Sequence, residues 1–356
     1  MDYIFVFLSD NRINKLPSLT PASATNIPLA LTPDTPPLSC ARQLILERAR
    51  EMIRFEEGTR AGDDIEALHD MRVWSRRLRE ALEIFAFCFP PKIYDKLYER
   101  VRQVTKTLGQ ARNADVAVEF FAAHHAQAQE LTERFALEDL LRRLVKEQRR
   151  ERERMKERLD KKVKAGALPA VIEVAFAKVA RTPGFRRRGP RTVFRLARAL
   201  LLTRLQEVFK IRAAILGEND VEGLHNLRIA VKKLRYALEI LGFAIGESAA
   251  ENLSFFKKLQ TVLGDLHDRD VFLEVVKERY ETLEKQTFAT LLLSGYESVF
   301  IHLVKERRQF YEKYLKIFGE AKFAEWRKRV VPPLPKKTVN PVIPKNEAAI
   351  IAEQQP

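Results

Sequence analysis

Residues 68–85 read LHDMRVWSRRLREALEIF. On a helix turning about 100° per residue, His69, Arg72, Arg76 and Arg79 fall in one band, with Arg77 beside it. A guanidinium presents forked N–H donors that match phosphate oxygens, and an imidazole adds a donor that titrates near neutral pH. Spread over about 15 Å of helix, such groups can hold an extended polyanion, and the histidines would bind best when protonated. Nearly the same line returns at 224–241 as LHNLRIAVKKLRYALEIL, where His225, Arg228, Lys232 and Arg235 share a face and Lys233 lies alongside. Like charges three or four residues apart cost about 0.2–0.5 kcal/mol per pair, so a plain solvated face usually mixes signs. Here Glu80, Glu83 and Glu239 come only where the stripes end, and they are expected to pair back to Arg76, Arg79 and Arg235. An unfavourable cluster written twice points to an anionic ligand that neutralises it.

The remainder of each helix must hold those faces in place. Opposite the basic band, Leu68, Met71, Trp74, Leu78, Ala81, Leu82 and Phe85 form an apolar stripe, and so do Leu224, Leu227, Ala230, Leu234, Leu238 and Leu241. Asp63 and Asn219 are the expected N-caps, each with a glutamate three residues on, Glu66 or Glu222. The next helix in each copy adds Arg102 and Lys106, or Lys257 and Lys258, followed after a Leu-Gly pair by Arg112 or His267. Residues 68–89 match 224–245 at ten of twenty-two positions with an offset of 156, and LGQARNADVAVEFF from 108 matches LGDLHDRDVFLEVV from 263 with an offset of 155. Such a repeat marks a duplicated unit. Apolar residues recur at three and four throughout, and no period-two segment stands out. The expectation is an all-α chain with a first repeat at 41–166, a linker at 167–189 and a second repeat at 190–325. The charged run at 141–164 would close the first repeat as a long, largely solvated helix. If the units pack about a pseudo-twofold axis, their basic helix faces line one central groove or channel.

The net charge of +15 sits entirely on residues 41–330, because the segments 1–40 and 331–356 together carry five basic and five acidic side chains. Twelve of the seventeen prolines fall in those two segments, which read as disordered tails. A core so unbalanced attracts polyanions or anionic surfaces. No apolar run is long enough to cross a bilayer, and the opening MDYIFVFLSD lacks the basic leader of a secretion signal. Cys40 and Cys88 supply neither a disulfide framework nor metal-ligand spacing. Cys88 reads as a buried thiol, and a reducing, cytoplasmic setting is expected.

The segments HDMRVWSRRLREAL and HNLRIAVKKLRYALE, with the trailing LGDLHDRDV, resemble the CHAD domain, a histidine-marked α-helical domain that binds inorganic polyphosphate. The resemblance spans residues 41–325. It implies two four-helix bundles related by a pseudo-twofold axis with a basic channel between them; association with polyphosphate granules, a targeting role and support of a partner enzyme all stay open. Carried over by position, the binding residues are His69, Arg72, Arg76, Arg77, Arg79, His225, Arg228, Lys232, Lys233 and Arg235. Arg102, Lys106, Arg112, Lys257 and Lys258 join them from the reading of the neighbouring helices. No catalytic residue, metal or cofactor is expected. The first copy departs from the family's Arg-Asp after Leu-Gly and reads Arg112-Asn113, which removes an acid that could orient a basic partner.

Three other readings compete. Non-specific nucleic-acid binding suits a basic helical protein, and weak binding of that kind is expected. Single-strand binders want exposed aromatics among the cations, whereas Trp74 points to the core and Ala230 replaces it in the second copy. A metal-dependent phosphohydrolase would build on His69-Asp70 and His267-Asp268, yet Asn226 and Arg112-Asn113 undo those pairs at the matching positions. Glu151 and Glu153 brush against the motif of triphosphate-tunnel hydrolases, but Met155 stands where a lysine is wanted. His124-His125, adjacent on a helix, cannot face one metal together and read as surface residues. Docking on anionic lipid would need apolar side chains beside the charges, and here they lie opposite. No protein partner can be named from the sequence.

Overall fold

Prolines and small polar caps set the helix starts. Pro36-Pro37 and Pro90-Pro91 open α1 (Pro37–Arg54) and α4 (Pro91–Gln127), where a missing N–H costs nothing. Between them lie α2 (Glu56–Ala61), ending at Gly62 with φ 82°, and α3 (Ile65–Ile84). The chain continues through α5 (Leu131–Arg158), α6 (Leu168–Ala180), α7 (Val193–Ala214), α8 (Val221–Leu241), α9 (Ser248–Glu284), α10 (Thr290–Phe318) and α11 (Glu320–Val330). This computed structural model describes residues 30–62, 65–160, 165–181, 189–246, 248–286 and 290–330, and among them there is no strand.

The second signature helix is capped by Asp220, whose carboxylate accepts from Gly223 N–H at 2.8 Å and from Leu216 N–H at 3.2 Å. Asn219, the expected cap, is one residue too early, because the aspartate reaches both the helix and the preceding loop. Asp63 lies outside the described residues. The segment expected as a tail through residue 40 is ordered from its last ten residues onward. Phe194 and Val193 donate their backbone N–H groups to the carbonyls of Pro33 and Thr35, and Cys40 and Ala41 are fully buried. The expected linker contains α6, which buries Leu168, Ile172, Phe176 and Val179 against α1 and sets the Phe176 ring at a tilt against Phe89, with centroids 4.9 Å apart. Residues 331–356 lie outside the described set.

Three apolar cores result. The first gathers α1, α3, α6, the N-terminal part of α4 and the C-terminal end of α5. The second gathers α8, the C-terminal half of α7, the N-terminal half of α9, the end of α10 and Phe323 of α11. A third, at the other ends of the four long helices, joins Phe121 of α4 and Leu137 of α5 to Phe272 of α9 and Tyr296 of α10. The charged run thus has one buried side, from Leu144 to Met155, and an exposed remainder. Polar contacts lace the third core's rim. Arg279 forks onto Asp139 at 2.8 and 3.0 Å, and His302 meets Glu133 at 2.7 Å. His124, expected on the surface, is bonded to Glu306 at 2.9 Å, because α10 packs beside it.

Contacts also recur at the offset of the sequence repeat. Asp115 holds Arg152, which donates to the carbonyl of Gly62; Asp270 holds Arg307, which donates to the carbonyl of Glu218. Each arginine ties the loop before a signature helix to the helix hairpin that follows it.

Candidate functional site

The signature helices are seated as their apolar stripes require. Leu68, Met71, Leu78, Ala81, Leu82 and Phe85 are buried, as are Leu224, Leu227, Ala230, Leu234, Leu238 and Leu241. Trp74 packs against the first core only in part, and Arg77 lies over its ring at 4.7 Å. Seating both stripes brings the basic bands of α3 and α8 together, and the two helices touch directly. Arg77 of α3 meets Glu239 of α8 at 3.9 Å. Glu80 of α3 pairs with Arg204 of α7, both almost fully buried, and the same Arg204 donates to the carbonyl of Lys233 on α8 at 2.5 Å. The expected pairing of Glu80 with Arg76 therefore does not form; the arginine from α7 arrives at a desolvated position and takes the carboxylate.

The cations of the two bands act on each other. Burial lowers the Arg72 pKa to about 9, helped by Arg76, Arg112 and Arg228 and opposed by Tyr236. Arg76 is lowered by burial, with Tyr236 opposing through its charge and a hydrogen bond while Arg79 and Arg235 push the same way as burial. Arg228 is lowered by burial and by Arg76, against the charge of Asp268. Lys232 feels burial, then Arg76, Arg228 and Arg79, and falls to about 7 despite Glu80. Residues 156 positions apart in the chain have become electrostatic neighbours.

Histidines sit at one end. His225 and His267 approach through their Nδ1 atoms at 3.2 Å. Burial, Arg228, His225 and Lys232 drive His267 down to about 3, and burial with Arg228 and Lys232 lowers His225. His69 is lowered by burial and Arg112. Burial is the leading cause in all three, so each imidazole favours its neutral form more than a free histidine does.

Each remaining site residue has a definite place. Arg79 approaches Glu83 at 3.8 Å, and its Nε is buried without a hydrogen-bond partner. The Nε of Arg72 and one terminal nitrogen of Arg112 are likewise buried without a hydrogen bond, although Arg72 reaches Asn113 at 3.2 Å through another nitrogen and that Arg112 nitrogen lies 3.9 Å from Glu119. Arg235 is held by Glu239 and Gln260, both at 2.6 Å, over the Tyr236 ring. Arg102 is exposed and tied to Glu99, while Lys106, Lys257 and Lys258 are exposed. The strongest neighbours of Arg72, Arg76, Arg228 and Lys232 include none of those four.

Three contributors escaped the sequence reading, and a fourth, Glu239, does more than was expected of it. Tyr236 stands in the repeat position of Glu80 and opposes the lowering of the Arg76 pKa. Arg204 and Arg48 stand 156 residues apart, on α7 and α1. Arg48 is buried near Arg77 and Glu239 and donates to Leu44's carbonyl at 3.0 Å. Glu239 clamps arginines from both signature helices. The offset was the available signal for Arg48 and Arg204, but the residues around them have diverged.

Among the described residues no group of three or more His, Cys, Asp or Glu is placed to hold a metal ion, and no helix is long and apolar enough to cross a membrane. A family model described as the CHAD domain matches residues 43–277. A crystal structure of the CHAD domain from the plant Ricinus communis is similar in fold, with TM-score 0.61 and 21% identity over 84% of this chain and 96% of that one. PptA from Streptomyces chartreusis is also similar, with TM-score 0.60 and 15% identity over 80% of this chain and 100% of that one. A search of curated proteins finds no match.

Proposed function

The chain belongs to the CHAD domain family, and on that premise we propose that it binds inorganic polyphosphate, without catalysis, in a groove lined by the basic bands of α3 and α8. The observation that carries this reading is the direct contact of α3 and α8, with Arg77 meeting Glu239 across it at 3.9 Å, which sets the two basic bands side by side; burial, then the neighbouring cations, lowers Lys232 to about 7 and Arg72 to about 9. A cluster strained against itself gains most from a ligand that is anionic along its whole length. Polyphosphate carries about one charge per phosphate and no bases, so it asks for convergent donors and no stacking platform. The N–H groups of Arg72, Arg79 and Arg112 that make no hydrogen bond mark side chains that a modest shift would bring onto phosphate oxygens. Nucleic acid would compete only through its backbone, since Trp74 is covered by Arg77 and Tyr236 is buried. Phosphohydrolysis is disfavoured because Arg112-Asn113 replaces His-Asp in the first half. The protein would work in the cytoplasm, at polyphosphate granules where these occur.

Calorimetric titration with polyphosphates of several lengths, on wild type and Arg72→Ala/Arg228→Ala, tests the proposal. Binding should weaken steeply with salt, raise the melting temperature at low salt, and be lost in the double variant. An unchanged melting curve at low salt, or a double variant that binds like wild type, would refute it. Competition with single-stranded nucleic acid at fixed salt separates the two polyanions.

A further inference from the structure

His225 of α8 and His267 of α9 meet through their Nδ1 atoms at 3.2 Å, with ring centroids 4.5 Å apart and the planes inclined at 49°. Two imidazole nitrogens at that distance share one hydrogen, because an N–H on both would collide and a lone pair on both would repel. One ring therefore carries its hydrogen on Nδ1 and leaves its Nε2 bare. The other accepts at Nδ1 and carries its hydrogen on Nε2. The uncharged pair thus offers an anion one Nε2–H donor and one repelling lone pair. A first added proton has an open place, the bare Nε2, and leaves the bridge intact with two Nε2–H donors and one positive charge. A second finds only the Nδ1 that already accepts the bridge, and must break the contact.

The surroundings keep the empty pair uncharged. Both rings are half-buried, and burial, then Arg228 and Lys232 of α8, disfavour an imidazolium at either. Asp270 of α9 opposes them at His225, but its carboxylate is bonded to Arg307 of α10. Asp268 acts on Arg228, Arg269 is tied to Glu306 of α10 at 3.1 Å, and Arg76 of α3 presses on Arg228 and Lys232. Among the described residues no carboxylate hydrogen-bonds either ring. The position matching His267 is Arg112 in the first half, so the pair is written once. We propose that His225 and His267 form a one-proton donor site: as a phosphate group of the bound chain reaches them, they take one proton from solvent, never two, and turn from one donor into two. The two rings then titrate as a unit. The proposal rests on the polyphosphate reading of the same cluster and adds a binding residue, His267, and a proton count.

Calorimetric titration of the full chain with long-chain inorganic polyphosphate, near pH 6 and at low salt, counts the protons when repeated in buffers of different ionisation enthalpy. Lys232, with its pKa at about 7, already holds its proton under those conditions and adds little to the count. Wild type should take up about one proton more than His225→Gln/His267→Gln, and its affinity should gain about tenfold more than the variant's for each pH unit of acidification. A difference near zero means that the pair binds uncharged, and one near two means that the bridge is not kept; either overturns the proposal. Heteronuclear NMR of isotope-labelled histidines in wild type reads the same count even if the variant fails to fold. The saturated complex should show both Nε2 atoms protonated and a single bare Nδ1, whereas a remaining bare Nε2, or two protonated Nδ1 atoms, sinks the idea. If the chain binds polyphosphate without that signature, only the pair's role falls. If it binds none, the polyphosphate reading falls with it.

Discussion

Replacing Lys232 by methionine should make the ligand-free protein more stable. The lysine's pKa falls from its ordinary 10.5 to about 7 through burial and the pressure of Arg76, Arg228 and Arg79. A base whose folded value is depressed favours the unfolded chain, because only the unfolded chain takes up the proton between the two values. The penalty is complete below the folded value and vanishes above the unfolded one. At about 1.4 kcal/mol per tenfold, the full penalty approaches about 5 kcal/mol. The side chain keeps some contact with water, so about 2 kcal/mol is the better expectation. Methionine keeps the stem's length and apolar packing and removes only the charge. Urea unfolding at low salt should show Lys232→Met ahead of wild type by about 2 kcal/mol near pH 7, with the gap closing toward pH 10 and shrinking in high salt. The same variant should bind polyphosphate less well. A variant no more stable than wild type at neutral pH, or a gap that widens as pH rises, would refute the reasoning.

Other perturbations read other parts of the structure. Glu80→Gln strands Arg204 in a desolvated site and should cost about 3–5 kcal/mol in urea unfolding, whereas Glu80→Met/Arg204→Met should recover most of it. Burial pulls the His124 pKa down, but the Glu306 hydrogen bond and charge and the Phe120 carbonyl raise it overall. Its contribution is then present below the ordinary histidine value and lost as pH rises through the folded one. Wild type should lose about 1 kcal/mol relative to His124→Gln between about pH 6 and pH 8, by denaturant titration at each pH. A Cβ at Gly295 would lie 2.1 Å from the Thr132 carbonyl oxygen and 2.8 Å from Ala136 Cβ. Gly295→Ala should therefore force α5 and α10 apart and lower the melting temperature, at a cost of about 2–3 kcal/mol.

The seated faces were legible because they obey local rules. A period of 3.6 residues sorts Leu68, Met71 and Leu78 from Arg72, Arg76 and Arg79, whatever surrounds the helix. Pairings within one helix were half legible: Glu83 does approach Arg79, and Glu239 does hold Arg235. Glu80 went elsewhere because a buried arginine from α7 outcompetes a partner one turn away on a wetter face. The cap moved from Asn219 to Asp220 because two adjacent residues were both capable and loop geometry decided between them. Arg48, Arg204, Arg152 and Arg307 had the repeat offset but no surrounding similarity, so only their contacts reveal them. The burial that lowers the histidine pKa values was not legible either. Spacing shows which charges share a face, but not how much water they retain.

The four long helices each serve two apolar centres. α4 and α9 run for 37 residues, about 55 Å, and place Leu108 and Phe121, or Leu263 and Phe272, in separate cores. Such a rod is a ruler with a fixed phase. One residue inserted between Ala111 and Ala117 would twist everything beyond it by about 100° and advance it by about 1.5 Å. Phe121 would then swing out of its seat while Leu108 stayed in place. Growth or shrinkage of this protein is therefore confined to its turns, and the spacing of its two ends is counted out residue by residue.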